Sequence, residues 1–306
     1  MYYNLESFSE EIRNIRKNLN LTQKDISFLS GVNVDTLSKI ENGKVIPKQE
    51  TLDILSMVLK KDLNTILLKY RFNNYSKFHQ LKNSIEKIIE NGSFIELKNQ
   101  LDNLDAIIHK DDMNSYFSRL TKQLYFLVKA IFLKISCDDY EEALLSLIES
   151  IKITSPDFSL TEYNNFVYNN TEIRILMNIA LILNKKESIN KCLELLQFCH
   201  KNLEPDDWEL NIRVVYNLSY TYHRLFLHDS ALYFANLGIK TCIENRSLYC
   251  LALLYTRKGI AEHLLNYDNY MNSLEKAKHL YEISDQNELK SKFKNACKEH
   301  YNIDID

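Results

Sequence analysis

Hydrophobic positions at the start of the chain recur with a helical period. Phe8, Ile12, Ile15 and Leu19 stand at steps of four, three and four, which lines one face of an amphipathic helix and leaves Arg13, Arg16 and Lys17 outside. Thr22 offers an N-cap for a short second helix over about Gln23 to Ser30, with Asp25 three residues on as a variant capping box. Ile26 and Leu29 are expected to face inward. Gly31 ends that helix, because glycine readily takes the positive φ found just past a helix. Asn33 caps a third helix whose inner face is Leu37 and Ile40, and Gly43 in "ENGK" stops it. "QETLDILSMVLKK" and "DLNTILLKY" add two more helices. Residues 1–70 thus read as a five-helix domain, its second and third helices joined as a helix-turn-helix.

From about Phe72 the pattern changes. Tyr and Phe become dense, Gly nearly vanishes, and long apolar periodicities are cut by short polar breaks such as "NGSFIELKNQLDNL", "DDYEEALLSLIESI" and "HDSALYFANLGIKT". Ile95, Ala143, Ile189, Ala231 and Ser273 are expected to anchor the second helix of successive pairs, roughly every 42 to 48 residues. That is longer than the tetratricopeptide unit of about 34. Residues 71–306 therefore read as a helical repeat array. Its best-formed unit is "VVYNLSYTYHRLFLHDSALYFANLGI", with Leu218, Ser219 and Tyr222 on the first helix and Ala231 opening the second. Stacked pairs curve into a superhelix whose concave face is lined by first helices and suits an extended peptide. Asn178 and Asn217 fall on first helices, where a carboxamide can pair with a peptide N–H and C=O together. Tyr216, Tyr220, His223, Tyr255 and Arg257 are candidates for side-chain pockets.

Composition narrows the class. With five Gly and three Pro in 306 residues, a turn-rich fold is excluded, and the chain is expected to be all-α. It contains no run of about 18 apolar residues. The N-terminus "MYYNLESFSEEI" lacks a basic region followed by an apolar stretch, so the expected location is the cytosol. The six cysteines hold no C-x-x-C pair and read as buried thiols rather than a disulfide framework or zinc site. Neither H-E-x-x-H nor a Gly-rich phosphate loop is present. No enzyme activity, metal or cofactor is expected.

Gln23, Gly31-Val32, Thr36, Ser38-Lys39-Ile40-Glu41-Asn42-Gly43 and Pro47 resemble the phage-repressor-type helix-turn-helix of the XRE or Cro/C1 family, over residues 6 to 70. The resemblance implies a third helix in the DNA major groove. Val34, Asp35, Ser38 and Lys39 would then meet bases: Lys39 can donate to guanine, Asp35 can accept from a cytosine amino group, and Val34 can touch a thymine methyl. Gln23, Asn33, Asn42 and Lys44 would hold phosphates. Acids and bases nearly balance in this region, so affinity is expected to rely on two copies binding together.

Such a head followed by a tetratricopeptide-like, right-handed superhelical array resembles the RRNPP group, the Rgg, PlcR, NprR and PrgX type of peptide receptor. The resemblance implies a homodimer on double-stranded DNA with an inverted-repeat operator, and a short signalling peptide that changes DNA binding. Two alternatives remain at this point. One is a peptide-independent repressor whose array is only a scaffold, which a groove sealed by the C-terminal helix (Glu288 to His300) would favour. The other is a bifunctional regulator acting on a response regulator, for which little sequence is left after Tyr70.

Overall fold

The computed structural model describes residues 3–71, 75–109, 115–186, 188–204 and 206–305. All regular structure among the described residues is helical, with no strand. The chain divides into two compact units, residues 1–84 with 103–121, and residues 85–102 with 122–306.

In the first unit, five helices follow the expected order: α1 (Leu5–Asn18), α2 (Gln23–Ser30), α3 (Val34–Glu41), α4 (Gln49–Leu59) and α5 (Leu63–Lys69). Their starts obey side-chain capping. Thr22 and Asp25 bond each other's backbone reciprocally at α2, Asn33 Oδ1 accepts from Asp35 N at 2.8 Å at α3, and Asp62 caps α5. Gly31 and Gly43 take φ of 72° and 64°, as the two stops require. The apolar faces converge on one core that includes Phe8, Ile12, Ile26, Leu37, Ile40, Leu55 and Leu63. Tyr70 closes it, its backbone carbonyl accepting from Asn4 N at 2.7 Å and its hydroxyl donating to Glu11.

Three expectations for this unit are corrected. Leu29 is 57% exposed and Leu19 is 40% exposed. Of the two α2 residues expected inward only Ile26 is buried, and Leu19 follows the last turn of α1, where the chain turns away through Asn20 at φ 55°. Arg16, expected outside, turns inward onto a carboxylate.

The second unit is built of helical hairpins. The pairs α10 (Asn170–Lys186) with α11 (Ile189–Lys201), α12 (Trp208–Arg224) with α13 (His228–Glu244), and α14 (Leu251–Leu264) with α15 (Tyr270–Ile283) pack directly, and α16 (Asn287–Tyr301) follows. Upstream, after α6 (Tyr75–Asn91), α8 (Ser115–Ser136) meets α9 (Tyr140–Lys152) through Gln123 and Ser150, which bond each other's backbone carbonyls. A 3-10 stretch, Leu160–Asn165, intervenes between α9 and α10 and lengthens that repeat. Small residues set the spacing as expected: Ser219 Oγ donates to Ala231 O at 2.7 Å, and both are buried. At Gly259 a Cβ would lie 2.5 Å from Leu274 Cδ2, so the α14–α15 contact requires glycine.

Ala143, Ala231 and Ser273 are buried anchors, but Ile95 is 72% exposed. It lies in a 3-10 turn, Phe94–Glu96, and the buried anchor is Leu97, where α7 (Leu97–Ile108) begins. Ile189 opens α11 but is only partly buried, and Cys192 takes its place in the core. Cys192, Cys199, Cys242 and Cys297 are buried free thiols, whereas Cys250 is only partly buried and Cys137 is exposed.

Candidate DNA-reading head and ligand trough

The orientation of α3 is fixed from its inner face. Leu37 and Ile40 enter the core, and the Glu41 carboxylate beside them is buried. Arg16 of α1 grips it with Nε at 2.6 Å and Nη2 at 2.9 Å, and Gln23 Nε2 of α2 donates to it at 2.8 Å. The Glu41 bond holds the Arg16 charge more firmly than burial opposes it. Arg13 Nη2 adds a bond to the Glu41 carbonyl oxygen. Three helices thus converge on one carboxylate, a paired charge of the kind that tolerates burial.

The outer face of α3 stays open. Asp35 and Lys39 are exposed, and Val34 and Ser38 are partly exposed. Lys44 is exposed as well. Asn33 is committed to its cap, and Asn42 Nδ2 donates to Ser38 O at 2.8 Å. Gln23 gives one amide proton to Glu41, so only its second remains for a phosphate. Thr36, exposed between Asp35 and Leu37, joins this face without having been singled out as a base reader.

In the second unit, first helices line three cavities that share walls. One, of about 230 Å³, includes Glu90, Arg174, Asn178 and Arg213. The next, of about 550 Å³, shares with it Lys134, Leu181, Tyr216 and Asn217. The third, of about 590 Å³, shares Tyr220 and Arg257 with the second and adds His223. Together they form a trough running across α8, α10, α12 and α14. Helix α16 walls only the third cavity, through Phe293 and its neighbours.

Both asparagines lie in the trough. Asn178 Nδ2 donates to Arg174 O at 2.9 Å, and Asn217 Nδ2 donates to Arg213 O at 2.8 Å. This back-bonding points each carboxamide along its helix and leaves Asn217 Oδ1 as an acceptor. Tyr216, Tyr220, His223 and Arg257 also face the trough, but Tyr255 lines none of the three cavities. It packs into the core around α15, with the Lys276 ammonium over its ring. It stands two positions before Arg257, and such a spacing puts side chains on different helix faces.

Charge is distributed unevenly. Arg174 and Arg213 both bind the Glu86 carboxylate, at 2.5 and 2.7 Å. Burial alone would raise the Glu86 pKa, but Arg174 and then Arg213 bring it down to about 2. Arg213 also donates to Tyr249 OH. Lys134 was not anticipated, although a lysine inside "AIFLKIS" is the signal that could have found it. His223 Nε2 bonds Tyr301 OH at 2.8 Å, and burial, aided by Arg257, His228 and Arg224, lowers its pKa to about 4. No described helix is long and apolar enough to cross a membrane.

Comparison with known proteins follows this two-part build. Residues 12–66 match the helix-turn-helix family and residues 157–302 match the RNPP family C-terminal domain. The chain is 31% identical over 99 residues to the HTH-type transcriptional repressor RghR of Bacillus subtilis (strain 168), a match covering 31% of this chain and 72% of that protein. It resembles Bacillus thuringiensis PlcR, solved in complex with the peptide PapR7 and DNA, with a TM-score of 0.74 at 21% identity over 94% of this chain and 99% of that one. It also resembles ComR from S. thermophilus, solved with DNA and its signalling peptide ComS, with a TM-score of 0.59 at 14% identity over 94% and 98% of the two chains. A helix-turn-helix head followed by the RNPP C-terminal domain places the chain in the RRNPP-type family of regulators.

Proposed function

We propose that the protein is a cytosolic, sequence-specific DNA-binding regulator whose repeat domain binds a short signalling peptide and thereby changes DNA binding. Residues 1–70 form the DNA-binding domain, and residues 71–306 bind the peptide and hold two copies together. Val34, Asp35, Ser38 and Lys39 read bases, while Gln23, Asn33, Asn42 and Lys44 hold phosphates. The operator is an inverted repeat matching the two-fold symmetry of a homodimer. The peptide lies along the trough against Asn217, Asn178, Tyr216, Tyr220, His223 and Arg257. Its backbone pairs with the Asn217 amide.

The observation that carries this reading is the trough itself: three cavities with shared walls, lined by first helices and carrying polar and apolar side chains together. Helix α16 closes one end and leaves two cavities unsealed, which favours a ligand over a self-filled scaffold. PlcR and ComR each carry both a peptide and DNA in their solved complexes, which supports assigning the same pair of ligands here.

Selection of random duplex DNA on the full chain tests the proposal, run with and without a pool of synthetic heptapeptides. An inverted repeat whose enrichment changes with the peptides is the expected result. Enrichment of a motif indifferent to every peptide pool would instead make the array a dimerisation scaffold.

A further inference from the structure

Five basic side chains line the first two cavities from α8, α10, α12 and α14; Lys185 is exposed on the second, and the other four divide into two kinds. Arg174 and Arg213 share Glu86. Lys134 and Arg257 have no carboxylate within ion-pair distance among the described residues. The Lys134 ammonium has one polar contact, the Asn178 Oδ1 at 3.5 Å. The Arg257 guanidinium lies 4.7 Å from the Tyr220 ring centre and 5.8 Å from that of Tyr216. Its Nε is buried without a hydrogen-bond partner.

Acids near the trough do not neutralise the pair. Glu86 is held by its two arginines, and Glu90, half-buried in the first cavity, lies in the field of Arg213. Asp138 at the rim of the second cavity accepts from Tyr140 OH at 3.1 Å. A buried cation without an anion is an expensive feature in an empty protein. Two cations, each partly buried and without a carboxylate partner, on one cavity beside the carboxamide of Asn217 describe a site with the charge to receive an anion. The arrangement suits a carboxylate: a lysine supplies a point charge, an arginine a planar fork, and the two tyrosine faces keep the fork oriented.

We propose that Lys134 and Arg257 bind a carboxylate of the ligand in the second cavity, so that the trough holds its peptide by a carboxylate. This rests on the peptide reading above. The carboxylate is either the peptide's C-terminus or an Asp or Glu side chain, and the two sources share the same recognition.

Four pools of synthetic heptapeptides separate these outcomes: all residues with a free C-terminus, all residues with a C-terminal amide, free acids lacking Asp and Glu, and amides lacking Asp and Glu. Each is equilibrated with the full chain, and the peptides co-eluting on gel filtration are sequenced by mass spectrometry. The expected result is retention from the first pool and none from the fourth. Retention from the second but not the third identifies a side-chain carboxylate; the reverse identifies the C-terminus. Peptides so recovered should bind Lys134→Met and Arg257→Met at least tenfold more weakly, and Lys134→Arg closer to the parent. Equal retention from the first and fourth pools, with unchanged affinity in both methionine variants, would overturn the carboxylate site while leaving the peptide reading intact. Retention from no pool would overturn both.

Discussion

Glu41 on the third helix and Arg16 on the first form a two-pronged ion pair, at 2.6 and 2.9 Å, with the carboxylate sealed from solvent. Removing one partner strands the other. Glu41→Ala is expected to destabilise the head by about 3 kcal/mol. Hydrogen exchange on the full chain should show faster exchange across α1, α2 and α3, with protection in α12 and α13 unchanged.

Lys39→Ala tests the outward face of the same helix. Lys39 is exposed and makes no ion pair among the described residues, so the fold should be untouched. Specific operator affinity is expected to fall by about 1 to 3 kcal/mol if Lys39 reads a base. A phosphate contact would instead weaken all sequences alike and reduce the salt dependence of binding. Titration against matched and scrambled duplexes at two salt concentrations separates the cases.

Glu86 gives the array an acid-sensitive clamp. Its folded pKa is depressed to about 2 from 4.5, so its stabilisation is complete above about pH 4.5 and is lost as pH falls towards 2. The shift corresponds to about 3 kcal/mol. Urea unfolding of the full chain should place Glu86→Gln below the parent at pH 7, and the gap should close as both are taken to pH 2.

Lys134 has the opposite sign. Burial lowers its pKa from 10.5 to about 8, so the charged form weakens the empty fold below pH 8, and stability rises as pH climbs from 8 to 10.5. Lys134→Met is therefore expected to be more stable than the parent at neutral pH, by up to about 3 kcal/mol, with the difference vanishing above pH 10.5. Paired thermal melts across that range check it.

Gly259→Ala places a methyl group 2.5 Å from Leu274 Cδ2 and 3.2 Å from the Leu274 backbone nitrogen. Overpacking of this kind costs about 1 to 3 kcal/mol. Gly31→Ala meets no neighbour, but it forces alanine to a φ of 72°. That strain is about 1 to 2 kcal/mol. Melting of both variants should show a loss in each, and only the Gly259 loss should be relieved by Leu274→Ala.

Local patterns carried the head far. Capping residues, glycine stops and the Leu37–Ile40 spacing are signals within one or two turns, and the structure places them as read. Leu29 reads as inward beside Ile26, but on an eight-residue helix it faces out together with its neighbour Phe28. Partners remote in sequence were not legible: Arg16 finds Glu41 25 positions away, and Glu86 meets Arg174 and Arg213 at separations of 88 and 127. In the array, Asn178 and Asn217 were found because carboxamides on first helices stand out. Lys134 was hidden because one lysine in an apolar run looks like a side chain that reaches solvent, and only the packing around it reveals otherwise.

Anchoring α3 through Leu37, Ile40 and Glu41 separates its two faces in evolutionary terms. Asp35, Thr36 and Lys39 are exposed and make no ion pair among the described residues, so under the proposed function their substitution acts on the operator and not on the fold. A lineage carrying this head can diverge in target sequence through single surface replacements, each fold-neutral, and duplicated copies can part company on the genome without first acquiring stabilising mutations.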